Sequence, residues 1–191
     1  NWFENAGAEC HAVRNAVGLF DQTSFAKLRV DGPDAAAALD EISANRVAGA
    51  PGRSVYTQWC NPRGGIEADL TVTRLGEDEF LVVTAAASAT RDAAWLRRCC
   101  RDRDVTVTDV TEAWATFGVM GPSSRALLAE LTAADLGNDR FPFTAAQRIE
   151  LADQEVLALR MTYVGELGWE LYVPWRSAPP SRSRSRTGSR P

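Results

Sequence analysis

Apolar and polar positions alternate most sharply between Tyr56 and Thr84, in YTQWCNPRGGIEADLTVTRLGEDEFLVVT. After the turn cluster Asn61-Pro62-Arg63-Gly64-Gly65, the residues Ile66, Ala68, Leu70 and Val72 alternate with Glu67, Asp69, Thr71 and Thr73, the period of a half-buried strand. A second turn, Gly76-Glu77-Asp78-Glu79, returns the chain through Phe80 to Val83, so two antiparallel crossings follow directly. Asp69 therefore projects from mid-strand. Asp is depleted in strands because it prefers turns and caps, so its place here asks for a reason beyond local propensity. Two readings stand: a solvated carboxylate on the outer face of an antiparallel sheet, or a carboxylate that faces a ligand.

The same periodicities divide the rest of the chain. A helix is predicted around Gly7 to Val17, with Gly18 placed to end it. Phe25 to Val30 reads as a strand, with Ala26, Leu28 and Val30 inward against Lys27 and Arg29, and Asp31-Gly32-Pro33 leads into a helix over Asp34 to Ser43. The turn-rich link Ala48 to Arg53 precedes the central hairpin. Ser88 or Thr90 can cap a helix running to about Arg103, whose apolar stripe is Trp95, Leu96, Cys99 and Cys100; Arg91, Arg97, Arg98 and Arg101 make its solvated face. Val105 to Val110 and Ala113 to Met120 are strands, followed by a helix over Ser124 to Leu131 and a loop over Ala133 to Phe143. Gln147 to Ala152 and Val156 to Tyr163 form a second hairpin through Asp153-Gln154-Glu155, and Trp169 to Val173 is the last strand. Hairpins dominate and helices are few, which predicts an α+β fold: antiparallel sheets with flanking helices, arranged as two interleaved sub-lobes.

A chain of 191 residues can bury a sizeable core, and its longest apolar runs fall far short of the roughly 20 residues of a membrane helix. The net charge of −4 hides a split. The segment Arg176 to Pro191 carries five arginines and no acid, leaving 16 basic against 25 acidic residues elsewhere, a poor surface for nucleic acid or anionic membranes. That segment, RSAPPSRSRSRTGSRP, has no apolar face and is predicted to be disordered, separate from a folded domain over 1–175. Alternating Arg-Ser dipeptides can bind RNA, but one short run on an acidic body is a weak basis for it. Cys10, Cys60, Cys99 and Cys100 lack metal-knuckle spacing and read as reduced structural thiols; His11, the single histidine, leaves few metal or triad chemistries available. No G-x-G-x-x-G or G-x-x-x-x-G-K-[ST] segment occurs, so a nucleotide-binding fingerprint is absent. The opening Asn1-Trp2-Phe3, two large aromatics without an initiator Met, predicts that a further segment precedes it.

A second constellation is Tyr163-Val164-Gly165-Glu166-Leu167-Gly168-Trp169-Glu170, in which two glycines connect strands and set an aromatic and an acid on either side. As a bare pattern it is a Gly-rich hairpin. Together, GGIEADL at 64–70 and YVGELGWE at 163–170 resemble the tetrahydrofolate-binding aminomethyltransferase family, whose T-protein members carry Gly-Gly-x-x-Asp-Asp-Leu and Tyr-Thr-Gly-Glu-x-Gly-x-Glu. VRNAVGLFDQTSFAKLRVDGPDA from Val13 and GVMGPSSRALL from Gly118 extend the resemblance to nearly everything up to about Trp175. Ala68 in place of the first Asp of the pair, Thr84 where T-proteins have Asn, and the opening NWFE look more like the folate-binding part of dimethylglycine and sarcosine dehydrogenases than the free glycine cleavage T-protein.

The resemblance implies a module that captures a one-carbon unit on tetrahydrofolate as 5,10-methylenetetrahydrofolate. The unit would arrive as an iminium from an N-methyl amine oxidised by a flavin (FAD) dehydrogenase domain, in cis or in trans, with no membrane or nucleic-acid partner. It implies Asp69 as the catalytic carboxylate and Tyr56, Thr84, Tyr163 and Glu170 as cofactor-binding residues. A pterin presents a ring N–H beside an exocyclic amine, a donor pair that a fixed acid such as Glu170 accepts in bidentate fashion. Tyr56 and Tyr163 offer flat rings and a hydroxyl, with simple core or edge packing as the other reading. The family continues past the equivalent of Pro174 with further helices, an arginine that contacts folate, and a C-terminal barrel, none of which this sequence contains. A catalytically silent folate-binding or scaffold domain is therefore a second expectation, and a free T-protein with a lipoyl-bearing partner a third. The expected location is cytoplasmic, or the mitochondrial matrix in a eukaryote.

Overall fold

The computed structural model describes residues 2–164 and 166–175; the predicted tail, 176–191, lies outside the described residues. Two five-stranded antiparallel sheets form its centre. The first takes β1 (Gly18–Asp21), β7 (Trp114–Met120), β10 (Gly168–Pro174), β9 (Gln154–Leu159) and β8 (Ala146–Leu151), in that spatial order. The second takes β3 (Arg53–Cys60), β4 (Ile66–Arg74), β5 (Glu79–Thr84), β2 (Ala26–Asp31) and β6 (Thr106–Asp109). The chain starts in the first sheet, builds the second, and returns, which is the interleaving expected of the α+β reading.

Each sheet carries its helices on one face and its partner on the other. Leu28, Val30, Leu70, Val72, Phe80 and Val82 pack on Ala35, Ala38 and Leu39 of α2 (Ala35–Ile42) and on Ala93, Leu96 and Cys100 in and beside α3 (Ala89–Cys99). Val119, Val156, Ala158, Trp169 and Leu171 pack on Leu128 of α4 (Ser124–Ala129) and on Phe141. Between the sheets, Leu81 and Val83 meet Ala146, Leu157, Leu159 and Tyr172. Backbone bonds cross this seam at its edge, from Ser54 N to Thr144 O and from Ala146 N to Gly52 O, both 2.8 Å.

The second sheet's two-sided burial corrects the simple alternation. Thr71 and Thr73 are buried because the other sheet covers their face, whereas Ile66, expected inside, stands exposed at the strand end. Lys27, expected on the polar side, is fully buried for the same reason. The first helix, α1 (Trp2–Asn15), begins earlier than predicted and buries no residue. Gly18, expected to end it, opens β1, a four-residue strand whose pairing with Met120 to Phe117 its own sequence is too short to announce. Ser88 stands at the N-cap of α3 but turns its hydroxyl to Asp92 Oδ2 at 2.6 Å instead of capping, and the helix stops at Cys99 rather than near Arg103. The β8–β9 turn is Ala152-Asp153, both left-handed (φ 48° and 64°), a two-residue connection that suits the twist of an antiparallel pair. After Leu159 the chain leaves the sheet, so Tyr163 lies in a loop and the connection to β10 is not tight. The four cysteines are free thiols, and His11 sits exposed on α1. Among the described residues no helix is long and apolar enough to cross a membrane.

Gly32 joins β2 to α2 at φ 136°, and a Cβ there would lie 2.2 Å from Asp104 O. Gly32→Ala is expected to cost about 1 to 3 kcal/mol from backbone strain, read as a lower urea midpoint with an unchanged slope.

Candidate functional site

The seam between the sheets ends in a polar cluster fed by four strands, β2, β3, β4 and β10, and by the loop after β9. Glu170 and Tyr172 are two apart on β10, so they share a face, and that face turns toward the second sheet. Glu170 is only 4% exposed, between Gly118 on β7 and Leu159 on β9, and its Oε2 accepts a 2.7 Å hydrogen bond from Tyr172 Oη. Tyr163, from the loop after β9, is 60% exposed as a residue yet turns its hydroxyl inward to Glu170. Burial of that end, and the neighbouring Glu170 carboxylate, push the Tyr163 hydroxyl up to about 12. Burial also raises the Glu170 carboxyl above its ordinary value, opposed by the hydrogen bonds from Tyr172 and Tyr163 and by the charge of Lys27.

Asp69 occupies the same inter-sheet face of β4 as Thr71 and Thr73, at the end where it meets solvent. Its Oδ2 accepts from Tyr56 Oη and its Oδ1 from Gln58 Nε2, each at 2.8 Å. Gln58 is its direct register partner on β3 and Tyr56 the diagonal one, a cross-strand arrangement that fixes both oxygens. The bond to Asp69 raises the Tyr56 hydroxyl above its ordinary value. The charges of Tyr56 and Asp69 also reach Tyr163. Tyr56, Asp69, Tyr163 and Glu170 are thus brought together.

Thr84 is not. It pairs with Leu70 and Ala26, which places it on the helix-covered face of the second sheet, where its Oγ1 donates to Asp92 Oδ2 at 2.6 Å. Buried Asp92 also takes Ser88 Oγ and Arg91 Nε, and Arg91 Nη2 reaches Glu67 O at 2.7 Å. This side of the sheet ties α3 to the start of β4.

Sequence reasoning missed Gln58, Tyr172 and Lys27. The alternation of Tyr56 with Gln58 and of Glu170 with Tyr172 places each pair on one face, and that signal was available. Nothing in the alternation of Lys27 with Arg29 distinguishes a buried lysine from a solvated one.

Chemically, the cluster holds one carboxylate at depth, one at the surface with both oxygens oriented, and two exposed phenol rings between them. It suits a flat polar ligand whose donors reach Glu170 while another part lies over the tyrosines toward Asp69. Gln22 Oε1 is a buried acceptor without a protein partner, set against Gly118, the register partner of Glu170. That orphaned oxygen adds an acceptor beside Glu170, so the residues fit a ligand edge rich in N–H groups such as a pterin.

A family model described as the GCVT N-terminal domain matches residues 1–181. The chain is 42% identical over 172 residues to the 4-methylaminobutanoate oxidase (formaldehyde-forming) of Paenarthrobacter nicotinovorans, covering 90% of this chain and 21% of that protein. It is 36% identical over 174 residues to the mitochondrial dimethylglycine dehydrogenase of Mus musculus, covering 90% and 20%. It is 41% identical over 173 residues to the aminomethyltransferase of Saccharopolyspora erythraea, covering 90% and 47%. The crystal structure of glycine cleavage system aminomethyltransferase T from Bartonella henselae matches with a TM-score of 0.75 at 29% identity, over 87% of this chain and 44% of that one. The chain therefore spans about a fifth of the oxidase and dehydrogenase and just under half of the aminomethyltransferase. Its two antiparallel sheets with flanking helices are the fold of the aminomethyltransferase T structure, and the chain belongs to the family of the GCVT N-terminal domain.

Proposed function

We propose that this chain is the tetrahydrofolate-dependent one-carbon transfer unit of an N-methyl amine oxidase or dehydrogenase, forming 5,10-methylenetetrahydrofolate. The observation that carries the reading is the buried Glu170 carboxylate, held by Tyr172 and Tyr163 a short way below the surface pair Tyr56–Asp69. When bound, tetrahydrofolate supplies the amine nitrogens that accept the one-carbon unit. Glu170 would accept hydrogen bonds from the donors of the pterin edge, and Tyr163 and Tyr56 would offer their rings to it. Asp69, its two oxygens oriented by Tyr56 and Gln58, would accept or relay a proton and favour a cation beside it electrostatically. Holding the two reactants together supplies much of the rate. Thr84, on the other face, would act only at a distance, by holding Asp92.

The names of the oxidase and dehydrogenase relatives favour amine-derived substrates, and the formaldehyde named for the first is what an uncaptured iminium yields on hydrolysis. A free aminomethyltransferase, served by a lipoyl-bearing partner, is the second reading, favoured by the 41% identity to the Saccharopolyspora erythraea protein. Transfer from an aminomethyl-lipoyl protein, with none from an N-methyl amine oxidised by a flavin dehydrogenase, would decide for it.

Binding is tested by calorimetry with tetrahydrofolate. Glu170→Gln is expected to weaken it by about 1 to 3 kcal/mol through loss of a charge-assisted pair. An unchanged dissociation constant would remove Glu170 from the site, and no heat from the unsubstituted chain would remove folate.

A further inference from the structure

We infer that Lys27 is the positioning charge of the site: from the opposite sheet it holds Glu170 in the ionised form that accepts hydrogen bonds from the ligand. Lys27 lies on β2 beside Val83, on the face turned to β10, and it is 0% exposed. Lysine is almost never fully buried without a countercharge, because a desolvated ammonium is costly. Its Nζ donates to two neutral carbonyls of the segment joining β1 to β2, Thr23 O at 3.0 Å and Phe25 O at 2.9 Å. These bonds aim the ammonium but carry no charge. None of the ion pairs among the described residues includes Lys27.

Burial pulls the Lys27 ammonium below its ordinary value, and three carboxylates oppose this through space, Asp109 first, then Asp21 and Glu170. The first two have local support independent of Lys27. Asp109 Oδ1 accepts from Thr111 N at 2.9 Å and Thr111 Oγ1 at 2.6 Å, and Asp21 Oδ1 accepts from Thr23 N at 2.9 Å. The side chain and backbone of Thr111 hold the Asp109 carboxyl below its ordinary value, and the side chain and backbone of Thr23 do the same for Asp21. Glu170 differs because it is buried. The groups that face it are Tyr172 from its own strand, Tyr163 from the loop after β9, and Lys27 from β2, while Gly118 and Leu159 beside it on β7 and β9 carry no charge. Tyr56 and Asp69, from β3 and β4, act on Tyr163. The two phenols stabilise a carboxylate as donors, but Lys27 is the one cation of the set. In a buried seam, charges interact more strongly than in water, so this cation opposes the protonation that burial favours. A protonated Glu170 would turn an acceptor into a donor facing the pterin's own donors.

The sign follows from the direction of the Glu170 shift. Binding that needs the carboxylate weakens as pH falls through the Glu170 midpoint, and losing Lys27 moves that midpoint to higher pH. The full 191-residue chain and its Lys27→Met and Lys27→Arg forms are titrated with tetrahydrofolate between about pH 5.5 and 9. Lys27→Met is expected to bind about tenfold more weakly at the acid end and to recover toward wild type at the alkaline end, while Lys27→Arg keeps the wild-type profile. Loss of affinity by the same factor at every pH would overturn the inference, since it would mark Lys27 as packing alone.

The inference rests on the folate reading for that readout only. Infrared difference spectra follow the protonated carboxyl band of Glu170, assigned by its loss in Glu170→Gln, without any ligand. The band is expected to persist to higher pH in Lys27→Met than in wild type, and coincident midpoints would overturn the inference. A chain that binds no tetrahydrofolate refutes the folate reading and leaves the infrared midpoints to decide Lys27. Should Lys27→Met not fold, the reciprocal measurement in Glu170→Gln decides: the Lys27 midpoint seen by NMR falls relative to wild type if the two charges are coupled, and an unchanged midpoint overturns the inference.

Discussion

Asp69→Asn is expected to lower the rate of one-carbon transfer to tetrahydrofolate by roughly 100-fold or more, the effect of losing a general acid-base group, while folate affinity stays near wild type. The geometry explains why shape survives. Gln58 Nε2 can only donate, so the new amide keeps its oxygen toward Gln58 and turns its NH2 toward Tyr56, whose hydroxyl oxygen accepts. Both cross-strand contacts persist with the charge gone. With the chain joined to a flavin dehydrogenase unit, amine oxidation continues and the uncaptured iminium appears as free formaldehyde, so the two products report on one residue. A local control is independent of turnover. The Asp69 carboxylate raises the Tyr56 hydroxyl, so its removal lets Tyr56 ionise at lower pH, visible as the ultraviolet signature of tyrosinate. Wild-type production of methylenetetrahydrofolate with no rise in formaldehyde would return Asp69 to a solvated residue on a sheet.

The strands of this protein were legible because one face of each is apolar at period two, and Leu70, Val72, Phe80 and Val82 did turn inward. What alternation cannot state is what covers the other face. Thr71, Thr73 and Lys27 look like a wet surface until the other sheet, built largely from strands far along the chain, lies over them. The position of Asp69 in mid-strand was equally legible, since it depends on alternation within one segment. The face of Thr84 was not, because it depends on how the β4–β5 turn sets the register, and Leu70 opposite Thr84 puts the threonine on the helix side. Element ends failed where tertiary pairing overrides local preference. The four residues of β1 are a strand only because β7 lies beside them, and β9 releases the chain four residues before the predicted end, which frees Tyr163 to turn its hydroxyl to Glu170. Motif-level resemblance located Glu170 and Tyr163 without showing that one is buried and the other half on the surface.

The largest stability effect is expected at Trp59, behind the site rather than in it. Trp59 is fully buried on β3, its ring stacked on Trp95 of α3 at 5.5 Å and 25°, and its backbone bridges to Ser43 at the end of α2. It therefore joins both helices to the edge strand that carries Tyr56 and Gln58. Trp59→Ala leaves a ring-sized cavity between β3 and α3 and is expected to cost about 3 to 5 kcal/mol, a large fraction of a domain's stability. Trp59→Phe separates volume from polarity. The Trp59 Nε1 is buried without a partner, so the phenyl replacement gives up part of the packing while relieving an unsatisfied donor, and the two terms oppose. Its cost should be well below that of the alanine. Urea titrations with a common slope compare the two directly, and saturating tetrahydrofolate should raise both midpoints, because a ligand that binds only the folded chain adds stability by mass action. Equal losses for phenylalanine and alanine would show that the indole contributes through something other than the volume it fills between β3 and α3.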